Sequence, residues 1–239
     1  MDATKVGPNP GPSWKAIGTG DFNGDGFSDI LFQNTNGQAA IWEMNGTNVI
    51  DSAAVGPNPG PSWKAIGTGD FNGDGLADIL FQNTSGQVAI WEMNGTNVTD
   101  AAAVSANPGP SWKAIGTGDF NGDGKSDILF QNTSGQVAIW EMNGTNATSE
   151  AAVGPNPGPS WKAIGTGDFN GDGKSDILFQ NTSGQVAIWE MNGTNVTSDA
   201  VVGPNPGPSW KAIGTGDFKA TAIPTSCFRT QAVRRQSGK

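Results

Sequence analysis

Apolar residues in this chain come in short bursts separated by segments rich in Gly, Asn and Pro, which suits short strands joined by tight turns better than long helices. The first strand is read over Trp14 to Gly20, where Ala16 and two glycines imply close backbone packing. The run Ile30-Leu31-Phe32 marks a second strand from Asp29 to Gln33. A turn at Thr35-Asn36-Gly37 leads to a third, Gln38 to Met44, which carries Ile41 and Trp42. Asn45-Gly46 is a strong two-residue hairpin signal and predicts a fourth strand from about Thr47 to Val55. The segment Gly56-Pro57-Asn58-Pro59-Gly60-Pro61 then reads as a stiff connector, because proline cannot donate to a sheet ladder. Apolar positions fall on both faces of these strands, as stacked sheets require.

The pattern repeats. Trp14, Trp63, Trp112, Trp161 and Trp210 are each 49 residues apart and each opens the string WKAIGTGDF. Trp112–Ser160 and Trp161–Ser209 differ at only three positions, Ala147/Val196, Glu150/Asp199 and Ala152/Val201. Such a period signals a solenoid, a propeller or an array, and four strands per unit is the size of one propeller blade. The expectation is therefore an all-β propeller. Its blades fall at about 14–55, 63–104, 112–153 and 161–202, with the first strand of a fifth at 210–218.

Between the first and second strands of every unit lies D-x-N-x-D-G-x-x-D, beginning at Asp21, Asp70, Asp119 and Asp168. Oxygen ligands at alternate positions converge when the backbone curls around an ion. Glycine at the sixth position permits the turn, the seventh can offer its carbonyl, and the ninth closes the cage. That is an all-oxygen shell for a hard cation, which favours calcium over magnesium. The expected ligands are Asp21, Asn23, Asp25, the carbonyl of Phe27, and Asp29. In the next unit they are Asp70, Asn72, Asp74, Leu76 and Asp78, and in the third Asp119, Asn121, Asp123, Lys125 and Asp127. The fourth has Asp168, Asn170, Asp172, Lys174 and Asp176, giving about four calcium ions per chain. An EF-hand is excluded, since its twelfth position falls on Phe32 inside a strand. The competing reading is an Asx-rich turn with no metal.

Charge supports the same picture. The net charge is −9, and 12 of the 22 Asp and Glu residues lie in the four loops. This acidity argues against nucleic acid as a partner. With no His and a single Cys227, nucleophile–base pairs using either residue are missing, so catalysis is not expected. No apolar run approaches the roughly 18 residues that cross a bilayer, and the first residues lack the apolar core of a signal peptide. The repeated Lys15 reads as a solvated strand residue. Trp14 and Trp42 read as core between blades; the alternative is a lectin-like propeller in which they stack on sugar rings.

The pairing of GTGDFNGDG with a following D-I-L-F strand resembles the FG-GAP/VCBS repeat family, whose relatives include the propeller repeats of integrin α-subunits. The resemblance covers Met1 to about Phe218. It implies a propeller, often seven-bladed, with calcium in the loop between the first two strands of a blade. It also implies an extracellular or cell-surface adhesion scaffold whose ligand is a protein or a glycan. Four blades and one strand can close alone, self-associate to complete a ring, or stay open.

After Asp217-Phe218 the repeat breaks off and the chain ends in KATAIPTSCFRTQAVRRQSGK. Codons exist for this tail that, with one base restored, spell NGDGNPDILFQNTGGQAAIWE, a fifth repeat. Residues 219–239 are accordingly expected to be an unstructured frameshift product, and Asp217 to hold no fifth metal. The alternative is a basic partner-binding tail using Arg229, Arg234 and Arg235. Asp2 aligns with Asp51, inside a fourth strand, so the chain is expected to derive from a longer array.

Overall fold

The computed structural model describes residues 6–104, 106–216 and 225–230. Blade 1 comprises β1 (Trp14–Gly20), β2 (Asp29–Asn34), β3 (Ala39–Asn45) and β4 (Asn48–Val55). Blade 2 comprises β5 (Trp63–Gly69), β6 (Asp78–Asn83), β7 (Val88–Asn94) and β8 (Asn97–Ala103). Blade 3 comprises β9 (Trp112–Gly118), β10 (Asp127–Asn132), β11 (Val137–Asn143) and β12 (Asn146–Val153). Blade 4 comprises β13 (Trp161–Gly167), β14 (Asp176–Asn181), β15 (Val186–Asn192) and β16 (Asn195–Val202). Each is an antiparallel meander, with its strands side by side in chain order. The first strands β1, β5, β9, β13 and β17 (Trp210–Gly216) contact one another in sequence, which places them on the inner side of a propeller.

Burial on both faces explains why the central strands read as continuous apolar runs rather than alternating ones. Leu31, Ala39, Ile41 and Val55 of blade 1 pack with Ile79, Phe81, Ala89 and Trp91 of blade 2 in one cluster. The opposite face of blade 2, with Leu80, Val88 and Ile90, meets Ile128, Phe130 and Trp140 of blade 3. The junction of blades 3 and 4 has the same composition. The core of this protein thus lies between its blades. On the outer face of blade 1, Phe32, Ala40, Trp42 and Met44 form a smaller cluster with Trp14, Ile30 and Val49 of the same blade.

One polar side chain fastens each junction. Gln82 is only 4 % exposed, yet all its polar atoms are satisfied. Its Nε2 donates to the Gly86 and Trp112 carbonyls, and its Oε1 accepts from the Ala114 amide, each at 3.1 Å. Gln33, Gln131 and Gln180 repeat the clamp on the next blade's first strand. A threonine ladder adds to it on the inner side, where Thr68, Thr117, Thr166 and Thr215 each donate to the carbonyl of the threonine one blade earlier. The connectors fit by glycine. Gly56, at φ 58°, lies so near Trp91 that a Cβ there would sit 2.6 Å from its ring.

The expected tail differs in one part. Thr225–Thr230 form β18, which pairs with β17 in the register that β2 takes on β1, Trp210 opposite Thr230 and Gly216 opposite Thr225. The physical reason is the free edge of β17, which offers a full row of backbone donors and acceptors to any extended segment of suitable length. The other tail residues, and Asp217, lie outside the described residues.

Replacing Gln82 with Ala orphans the buried Ala114 amide and leaves a cavity at the junction. We expect a loss of about 2–4 kcal/mol, read as a lower urea midpoint. A change within about 0.5 kcal/mol, the usual range for surface substitutions, would show that the clamp contributes little.

Candidate metal-binding loops

The four loops carry one hydrogen-bond network. Asp21 Oδ1 accepts from the amides of Gly24 and Asp25, at 2.7 and 3.2 Å, and its Oδ2 accepts from Gly26 at 2.8 Å. Asn23 Oδ1 accepts from the Asp25 amide, and Asp25 Oδ1 from the Phe27 amide. Gly26 takes φ 84°, as the sixth position of the turn demands. The same bonds recur from Asp70, Asp119 and Asp168. These are Asx turns, and they hold the curl of each loop by themselves.

The ninth residue is different in kind. Asp29, Asp78, Asp127 and Asp176 are fully buried. Asp29 Oδ2 accepts from the Phe22 amide at 2.9 Å, and its Oδ1 from the Met44 amide on β3 at 2.8 Å. One carboxylate thereby ties the start of the loop to the third strand, and the other three blades repeat the tie. Burial pushes Asp78 and Asp127 up to about 7 against the pull of these two amides, with the two other loop acids adding to the rise. Asp176 is raised for the same reasons.

Neighbouring loops are joined. The Asp21 carbonyl accepts from the Ala77 amide of the next loop, and the Phe22 carbonyl from Gly95 in the next blade's β7–β8 hairpin, both at 2.7 Å. Asp70 and Phe71, then Asp119 and Phe120, do the same one blade further on. Glu43 and Glu92, on the third strands, lie within 3.4 Å of Asn23 and Asn72 through one carboxylate oxygen. Sequence reasoning missed these glutamates, although their 49-residue period marked them. The residues at the seventh position, Phe27, Leu76, Lys125 and Lys174, belong to the expected set only through their carbonyls. Leu76, Lys125 and Lys174 extend their side chains elsewhere, over Gly24, over Gly73, and over Gly122 and toward Asn192 Oδ1 respectively.

The donor chemistry fits a hard cation. Each loop offers three carboxylates and one amide oxygen, and a carboxylate has about four acceptor directions, of which these bonds fill only some. In the present arrangement no three acidic side chains among the described residues close on one point as an ion cage. Cation entry would therefore exchange some contacts inside the loop for oxygen–cation contacts.

The tryptophans divide into two groups. Trp42, Trp91, Trp140 and Trp189 are buried, tilted against the neighbouring phenylalanine at a ring distance of 4.8 Å. Trp14, Trp63, Trp112 and Trp161 are half-buried, and Trp210 is 37 % exposed.

A pH dependence follows from Asp78 and Asp127. Their unfolded value is 3.8, so without a cation the folded chain holds protons that the unfolded chain has released. Stability present below about pH 4 is then lost as pH rises through about 7. In chelator, the urea midpoint is expected to be lower at pH 8 than at pH 5. A flat or rising profile would contradict the assigned shifts.

Comparison with known proteins agrees with this anatomy. No curated protein matches the chain. Among solved structures, similarity is found to the C-terminal WD40 domain of Sif2, at 13% identity and TM-score 0.42, over 78% of this chain and 46% of that one. It is also found to BBS1N in complex with ARL6DN, at 13% identity and TM-score 0.47, over 83% of this chain and 57% of that one. The chain thus spans about half the length of either, and with both scores under 0.5 the fold rests on the sheet order and blade contacts described above. The family model for the FG-GAP-like repeat matches residues 21–81, 70–130, 119–179 and 168–220. Every match starts on the first aspartate of a loop, and together they cover most of the chain, which therefore belongs to the FG-GAP-like repeat family.

Proposed function

We propose that this propeller module binds one calcium ion in each of its four acidic loops and serves as an extracellular interaction scaffold in which calcium is structural. The observation that carries the reading is the buried carboxylate of Asp78, repeated at Asp127 and Asp176. It lies near two further carboxylates of its own loop, and their charges raise its energy. Three like charges on nine residues, repeated four times, are best compensated by a divalent cation. Asp21, Asn23, Asp25, the Phe27 carbonyl and Asp29 would hold it in blade 1, and the corresponding residues in blades 2 to 4. The ion would supply charge neutralisation and cross-linking of the loop, with no chemical step.

Extracellular calcium suits such sites. For a dissociation constant of about 0.1 mM and about 1 mM calcium, each site contributes about 1.4 kcal/mol. The backbone bonds between successive loops would pass that gain to the neighbouring blade. Binding rather than catalysis is the favoured role. The loops' acids are engaged in holding backbone amides, and the lysines of the first strands stand apart from them.

Calorimetric titration with calcium tests the proposal. It is expected to give about four equivalents for the whole chain, and one fewer for D119N/D123N. A chain that takes up no calcium, or a variant with undiminished stoichiometry, would overturn it.

A further inference from the structure

The two ends of the blades carry opposite charge. The acidic loops follow the last residue of each first strand, whereas Lys15, Lys64, Lys113, Lys162 and Lys211 stand second from the start, at the far end. All five are exposed. Around them are the second-to-third strand turns and the proline connectors. The segments 33–40, 55–62, 82–89, 104–111, 131–138, 153–160, 180–187 and 202–209 contain no acidic residue. The outer-strand acids stand apart from these turns in the ladder, although Glu150 lines a cleft with Pro108 and Trp112. Asp51 and Asp100 pair opposite Glu43 and Glu92, towards the loops. Glu150 and Asp199 pair opposite Trp140 and Trp189, in mid-blade. A chain of net charge −9 thus presents five exposed lysines at this end, one on each first strand, and among the described residues the turns and connectors beside them carry no acid.

Between blade 4 and β17 this end opens into a cleft of about 300 Å³. Lys162 and Lys211 line it together with Ser160, Asn181, Thr182 and Trp210. Two ammonium groups, a hydroxyl pair, an amide and a partly exposed indole form one set. Ammonium groups pair with a carboxylate or sulfate, the hydroxyls and amide with sugar hydroxyls, and an indole face with the C–H face of a pyranose. The same residue types recur at earlier junctions, with Lys15, Ser13, Asn34, Thr35 and Trp63 at the first.

We propose that the loop-distal end binds an anionic polysaccharide, its acidic units meeting the lysines of successive blades. Several weak contacts on one chain would add by avidity. Nucleic acid fits less well. A duplex carries one charge per about 1.7 Å, far denser than one lysine per blade, and the protein's own acidity opposes its approach. The proposal deepens the scaffold reading by naming a partner class, and it does not depend on the loops holding calcium.

The test measures binding of chondroitin sulfate to the whole chain by tryptophan fluorescence in 2 mM calcium, against neutral dextran and single-stranded poly(dT). Chondroitin sulfate is expected to bind with an affinity that falls with salt. K162Q/K211Q is expected to weaken it about tenfold, the loss of two charge-assisted contacts, with an unchanged circular dichroism spectrum. Dextran and poly(dT) are expected to bind at least tenfold more weakly. No binding of chondroitin sulfate, equal binding of dextran, equal binding of poly(dT), or an unaffected double variant would each overturn the proposal. Should the lysine variant fail to fold, the salt dependence of the unaltered chain decides, since binding indifferent to salt contradicts a lysine site. Repeating the titration in chelator, at a temperature where the spectrum shows folded protein, separates this proposal from the calcium reading. Binding that persists there upholds the lysine site even if the loops take no calcium.

Discussion

Everything in this chain depends on burying the face of one blade against the next. A four-stranded meander has two apolar faces, and in this repeat the larger clusters are completed only by the next blade, while the outer face of blade 1 holds a smaller cluster of its own around Trp42. Leu31 and Ile41 need Phe81 and Trp91, and Leu80 and Ile90 in turn need Phe130 and Trp140. Nonpolar contact alone would let blades slide, because burial is not directional. The buried glutamine removes that freedom. It bonds to its own turn through Gly37 and to the next first strand at Trp63 and Ala65, so it sets both spacing and register. A half-satisfied amide at such a place would cost more than the clamp contributes, which is why a slipped register is disfavoured.

The acidic loop is built into the same scheme. Asp29 gives its two oxygens to amides in the loop and on β3, so the loop is fixed to the blade before any ion arrives. The loop then gives the carbonyls of Asp21 and Phe22 to the following blade. Local electrostatics in one loop is therefore felt at the adjacent junction. The acidic loops and the first-strand lysines thus stand at opposite ends of each blade, with the packed body between.

Much of this was legible in the sequence. The 49-residue period, the four strands and the connectors follow from turn residues and apolar runs, and the observed strands start or end within about one residue of the reading at most boundaries. Repeat copies this similar let one blade be read from four. The roles of Gln33 and Asp29 were not legible. Gln33 closes a strand next to a turn, where an amide is ordinary, and its partners lie 30–32 residues away on another blade. Asp29 fits the ninth position of a cation loop, so nothing in the spacing revealed that both oxygens bind backbone, one of them 15 residues downstream. Each tryptophan class had one composition and two possible settings. Trp42 is buried among Phe32, Ala40 and Met44 of its own blade, whereas Trp210 is 37 % exposed. The strand at Thr225–Thr230 was likewise hidden, because it owes its place to the free edge of β17 rather than to the repeat.

The central claim is that blade packing and four charged loops form one cooperative structure completed by calcium. Thermal unfolding followed by tryptophan fluorescence, in 2 mM calcium and then in excess chelator, tests it most directly. The account predicts a single transition at a clearly higher temperature with calcium, the whole array shifting together because successive loops are bonded. Superimposable melts in the two conditions would contradict it, and the acidic loops would then be Asx turns alone.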